Sequence, residues 1–145
     1  MIQRIQSVWL LLAALCCLGL FFFDIYHAEI AVNGVSTIKA IRVSDHYPSL
    51  LIALVITIMP LVAIFIFKNR KRQKLISIFS IVATIGFVTM ALGRVTNFNN
   101  DNPAAVNGSY WIGAVLPAIA IIFLVLAIRG INHDDKLVKS VDRLR

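Results

Sequence analysis

The sequence predicts an all-α membrane protein: a four-helix transmembrane bundle with a small extracytoplasmic β-hairpin and a short cytoplasmic C-terminal amphipathic helix. Three observations predict it. Of 145 residues, 59% are hydrophobic and only 14% charged, against about 25% charged in an ordinary soluble chain. Four runs without Asp, Glu, Lys, Arg or His cover 7–23, 49–67, 75–93 and 111–128, each near the roughly 20 residues that cross a hydrocarbon core. The basic residues between the runs fall mostly on one side. A soluble single domain is excluded, and a mean hydropathy of +0.86 makes lipid the solvent for most of the chain.

The first run follows one positive side chain, Arg4, as a signal peptide would. No small-residue cleavage pattern follows Gly19, and bulky Leu15 precedes Cys16 where a lipoprotein carries a small residue. The segment therefore reads as a retained anchor. Next, residues 24–48 hold Asn33-Gly34 between Ile30-Ala31-Val32 and Val35-Ser36-Thr37-Ile38. Asn-Gly flanked by β-formers favours a type I′ turn, which pairs Val32 with Val35 and Ile30 with Thr37. An isolated hairpin is marginal in water, so something must cover it.

Ala53, Thr57 and Pro60 share one face of the second span, Ser77, Ser80 and Thr84 one face of the third, and Gly113, Pro117 and Ala120 one face of the fourth. Lipid tails are as apolar as Leu, so membrane helices associate where small residues permit close approach. These faces are expected to point into the bundle, with the hydroxyls bonding back to their own helices. Residues 94–110, rich in Asn and holding Asp101, Pro103 and Gly108, read as turns. Beyond the fourth span, Asn132 reads as an N-cap with Asp134 and Asp135 in a first turn. Leu137, Val138, Val141 and Leu144 recur there at helical spacing, which gives the amphipathic tail helix. Residues 1–145 form one four-span membrane domain in this reading, with 129–145 as a cytoplasmic tail.

Eleven of the 14 Lys and Arg lie on one side of the spans: Arg4, then Lys68, Arg70, Lys71, Arg72 and Lys74, then Arg129, Lys136, Lys139, Arg143 and Arg145. Such residues collect on the cytoplasmic side, so both termini are expected there. The same bias explains the net charge of +7 without nucleic acid, which is not expected as a partner. The partners expected are the lipid bilayer, an anionic lipid at the basic run Lys68, Arg70, Lys71, Arg72 and Lys74, and a membrane protein.

No catalytic, cofactor-binding or metal-binding residue is expected, and no cofactor. Cys16 and Cys17 lie adjacent within the first span, where they read as small apolar side chains. His27 and His46 flank the first external segment near Asp24, Glu29 and Asp45 without a short ligand spacing. The spans carry no ionisable residue of the kind that proton-coupled transport uses.

The opening Met1-Ile2-Gln3-Arg4-Ile5-Gln6-Ser7-Val8-Trp9-Leu10-Leu11-Leu12 and the closing Lys136-Leu137-Val138-Lys139-Ser140-Val141-Asp142-Arg143-Leu144-Arg145 resemble the two end motifs of a Bacteroidota membrane family known as domain of unknown function 4293. The resemblance covers the whole chain and implies a bacterial inner (cytoplasmic) membrane protein with four spans; it supplies no activity. Two function classes follow. The first is a non-catalytic accessory or scaffold subunit of a larger membrane complex, docking through Gln3, Arg4, Gln6, Leu137, Val141, Asp142, Arg143, Leu144 and Arg145, with Arg4 opposite Asp142. The alternative is a small transporter or channel for an uncharged or small solute, using the Ser77, Ser80 and Thr84 face. A membrane enzyme ranks third, because its reactive groups would have to come from the loops.

Overall fold

The computed structural model describes residues 3–32, 35–67, 69–103 and 105–142. The elements run α1 (Gln3–Gly19), β1 (Tyr26–Val32), β2 (Val35–Ile41), α2 (Tyr47–Phe65), α3 (Arg70–Asp101), β3 (Ala105–Tyr110) and α4 (Ile112–Asp142). Helix α1 packs on α2 and α4, and α3 packs on the same two, so the four helices close a ring.

One spacing organises that ring. One buried series runs through Gln6, Leu10, Ala13, Cys17 and Leu20 of α1 and the turn after it, with Ala14 buried beside it; through Ser49, Ala53, Ile56, Pro60 and Ala63 of α2, with Thr57 buried beside it; and through Gln73, Ser77, Ser80, Thr84 and Phe87 of α3, with Val95 buried further on. Helix α4 buries Gly113, Pro117, Ala120, Leu124, Ala127, Ile131 and Asp134. Every series alternates steps of four and three, a 3.5-residue period that keeps one narrow seam facing the neighbours, as in helices crossing at shallow angles. The three small-residue faces expected to be internal lie on these seams, except that Thr57 is buried beside the α2 seam rather than on it. Three of their four hydroxyls bond backwards: Thr57 Oγ1 donates to the Ala53 carbonyl at 2.7 Å, Ser77 Oγ to Gln73 at 2.9 Å and Thr84 Oγ1 to Ser80 at 2.7 Å, whereas Ser80 Oγ has no partner among the described residues.

The expected fold class needs correction in two places. Only three helices are long and apolar enough to cross a membrane among the described residues: Tyr47–Phe65, a stretch within Arg70–Asp101, and Ile112–Asp135. The first helix is shorter, its apolar part being Ile5–Gly19. Residues 20–23 leave the helix in tight turns, with Leu20, Phe21 and Phe22 N–H groups donating to carbonyls three residues back. A Cβ at Gly19 would sit 2.9 Å from Leu116 Cδ1, so glycine lets the chain turn off close against α4. The apolar residues counted into a first span are thus partly a turn that feeds the sheet.

The second correction concerns the tail. No separate cytoplasmic amphipathic helix exists; α4 runs unbroken from Ile112 to Asp142, and Asn132 lies inside it rather than capping a new helix. Its seam passes through Ile131 and Asp134 in phase with the residues before them, so packing against α1 carries the helix through the polar composition shift.

Residues 94–110, expected as turns, are also ordered. Helix α3 continues through Val95, which is buried, and Phe98, which packs against the core, to Asp101. Asn102 closes it by donating from its side chain and its backbone to the Phe98 carbonyl. The strand that follows, β3, joins the hairpin to make a three-stranded antiparallel sheet of order β2-β1-β3. The hairpin register is the expected one, Val32 with Val35 and Ile30 with Thr37; the turn residues Asn33 and Gly34 lie outside the described residues. Between His27 and Glu29 the pairing of β1 with β3 shifts. One residue of β1 there faces two of β3, and Asn107 adopts a left-handed φ of 56°, the signature of a bulge. The cover that the hairpin needs comes from the last turns of α3, through Tyr26, Ala28, Ile41, Val43, Val95 and Phe98.

Candidate functional site: the polar layer closing the helical end

Three of the four seams finish at a buried polar side chain at the end of the ring away from the sheet. These are Gln6 of α1 (5% exposed), Gln73 of α3 (3%) and Asp134 of α4 (6%). Gln6 Nε2 donates to Asp134 Oδ2 across 128 residues of sequence. A Cβ at Gly130 would stand 2.8 Å from Gln6 Cγ, so this glycine opens the passage through which the amide reaches α4. Just beneath, Trp9 stacks on Phe123 with centroids 5.7 Å apart, fixing the same helix pair. The layer is only half satisfied. Asp134 Oδ1 and Arg70 Nη1 are buried without a hydrogen-bond partner among the described residues, and such a group forfeits its hydration without a full return.

Each of the three polar residues sits one further step of three or four beyond the last small or apolar member of its seam. That extension is the signal by which they could have been found, and sequence reasoning missed Gln73 and Asp134 because it stopped each span where charge begins. Of the residues expected to dock, only Gln6 has a described side chain, and it faces the bundle interior. Gln3 and Arg4 lie in the first turn of α1, while Leu137, Val141 and Asp142 lie in the final turns of α4. Their side chains, and with them the expected Arg4–Asp142 pair, lie outside the described residues, as do Arg143, Leu144 and Arg145.

At the sheet end the polar side chains are paired, with Asp24 and His27 partly buried and Arg42 exposed. Asp24 Oδ2 meets His27 Nε2 at 2.7 Å, and Asp24 Oδ1 accepts from Arg42 Nε at 2.6 Å. The His27 hydrogen bond first, then Arg42, holds the Asp24 carboxyl below the usual range. His27 also stacks on Trp111 at 5.0 Å. Asp45 accepts from the Arg42 backbone N–H, Arg94 Nη1 donates to the Arg42 carbonyl at 3.0 Å, and His46 Nδ1 lies 3.0 Å from Ser49 Oγ. Helix α4 starts against this turn: Gly113 N–H donates to the Asp24 carbonyl, and a Cβ at Gly113 would lie 2.5 Å from that oxygen. The network braces the turn before β1, the sheet, α2, α3 and α4 together. His27 and His46 have hydrogen-bond partners, and no group of three or more His, Cys, Asp or Glu could hold a metal ion among the described residues.

Below the sheet, Ile25, Phe87, Ala91, Tyr110, Gly113 and Pro117 line a cleft of about 40 Å³. Small-molecule sites usually need about 300–1,000 Å³, so the cleft is a packing gap between α3 and α4 rather than a ligand pocket.

A protein family described as Domain of unknown function (DUF4293) matches residues 2–144, and the chain belongs to it. No curated protein matches the chain. No solved structure matches it either.

Proposed function

We propose that this helical membrane protein is a non-catalytic accessory or scaffold subunit of a larger assembly in a bacterial inner membrane. One observation carries the reading. The helix ring holds up a sheet whose terminal strand β2 pairs, among the described residues, only with β1 and exposes Ser36, Thr37, Ile38 and Lys39, Ile38 at 71%. An open strand edge is a template for another chain's strand. The internal hydroxyls of Thr57, Ser77 and Thr84 are meanwhile bonded to their own helices, which suits packing better than a solute path. Both termini lie in the cytoplasm in this reading, supported by the distribution of Lys and Arg.

Native purification tests it. Stoichiometric recovery with a larger membrane protein, lost in Ile38→Asp while the fold is kept, is the expected result; recovery alone at every detergent concentration overturns it. A second reading, a small transporter or channel for an uncharged or small solute, draws on Ser80, whose buried Oγ has no partner among the described residues. Solute flux through the lone protein in liposomes, removed by Ser80→Ala, would establish it instead.

A further inference from the structure

The first turn of α3 works against its own helix. Arg70, Lys71, Arg72 and Lys74 open it with no acidic residue in that turn, at the end where the backbone already presents about half a positive charge. Among the described residues none of these four joins an ion pair; Asp24 with His27 and Asp24 with Arg42 are both at the sheet end. The helix cap is a neutral one, Asn69 Oδ1 accepting from the Arg72 N–H at 3.3 Å.

Directly below these cations the helix surface is grooved and apolar. Lys71, Lys74, Leu75, Ile78 and Phe79, spaced i, i+3, i+4, i+7 and i+8 on one face, line an open groove of about 380 Å³. Lys71, Arg72, Leu75 and Ile76 line a second, of about 350 Å³. The two share Lys71 and Leu75, which stand between them as a ridge. Leu75 and Phe79 are each 55% exposed and Ile78 44%, so the walls face lipid.

We propose that this surface is a binding site for one anionic diacyl phospholipid. The phosphate lies between Lys71 and Lys74 with Arg72 beside it, and the two acyl chains descend in the two grooves on either side of the Lys71–Leu75 ridge. Charge complementarity selects the anionic headgroup, and paired grooves below a single charge cluster match one head with two tails. Snorkelling lysines alone would place the same ammonium groups at the interface, but they would serve any lipid equally.

The test is lipid competition on the full chain in nanodiscs of phosphatidylcholine with a minority of phosphatidylglycerol, read by native mass spectrometry and thermal unfolding. One phosphatidylglycerol is expected to be retained per chain. Removing two cations, Lys71→Gln with Lys74→Gln, is expected to weaken that preference about 25-fold, from about fivefold per cation. Lys71→Arg with Lys74→Arg keeps it, and Lys39→Gln on the distant sheet leaves it unchanged. Equal retention of both lipids, an unaltered preference in the double Gln variant, or loss in the double Arg variant would each overturn the site. So would equal protection by inorganic phosphate, since the headgroup alone would then account for the effect.

Discussion

The two ends of the helix ring hold comparable polar chemistry in opposite settings. At the sheet end Asp24 has two partners, and Arg42, one of them, is 61% exposed at its side chain. At the helical end Asp134 has one donor among the described residues, the neutral Gln6, and both are enclosed. The exposure of Arg42 makes the better-paired carboxylate the less consequential one: Asp24 is itself only 17% exposed, but water reaches Arg42 and screens the pair. No other described side chain donates to Asp134. The difference teaches that the count of hydrogen bonds at a site says little until the surroundings are known.

The largest expected effect breaks the helical end. Gln6→Leu, which leaves both oxygens of Asp134 without a donor among the described residues, should cost about 2–3 kcal/mol in detergent unfolding, the scale of a lost hydrogen bond to a charged group. Gln6→Leu with Asp134→Leu should recover most of that, because removing both partners leaves nothing unsatisfied. A double variant no better than Gln6→Leu would show that the link is not what holds α1 to α4.

Two glycines at these ends meet different neighbours. Gly113→Ala sets a methyl against the backbone carbonyl of Asp24, whereas Gly130→Ala meets the side chain of Gln6, which can swing aside. The first should cost about 2–3 kcal/mol and the second about 1 kcal/mol or less, within the range of overpacking. The reverse order would mean that the turn before β1 yields more readily than the polar layer.

The smallest effect is at Asp24. Asp24→Asn should change stability by about 0–1 kcal/mol, and less at high salt, as for a surface pair. Its pH dependence has a definite sign. The folded carboxyl titrates below its ordinary value of 3.8, so the stabilisation is complete above that value and is lost as pH falls through the lowered folded one. Acid unfolding followed at Trp111 should lose that component in Asp24→Asn; an identical acid limb in the two proteins would remove Asp24 from the brace.

Much of the helix ring was legible in local pattern. The internal faces at Ala53, Thr57 and Pro60, at Ser77, Ser80 and Thr84, and at Gly113, Pro117 and Ala120 were readable because close approach in lipid demands small residues. The hairpin register followed from Asn33-Gly34 because a two-residue turn leaves one in-phase pairing. Element ends were less legible. Apolarity continues past Gly19 while the helix does not, and it stops near Ile128 and Gly93 while α4 and α3 continue.

Composition and periodicity by themselves determined that the chain belongs in lipid, which faces of α2, α3 and α4 turn inward, and which residues of the hairpin pair. These are properties of residues within a turn or two of one another. Tertiary structure alone decided that α1 ends at Gly19 against Leu116, that β3 completes the sheet on the last turns of α3, and that Gln6 reaches Asp134. Each of those depends on the free energy of contact between segments far apart in the chain, and a buried amide and carboxylate 128 residues apart have no local period to announce that they meet.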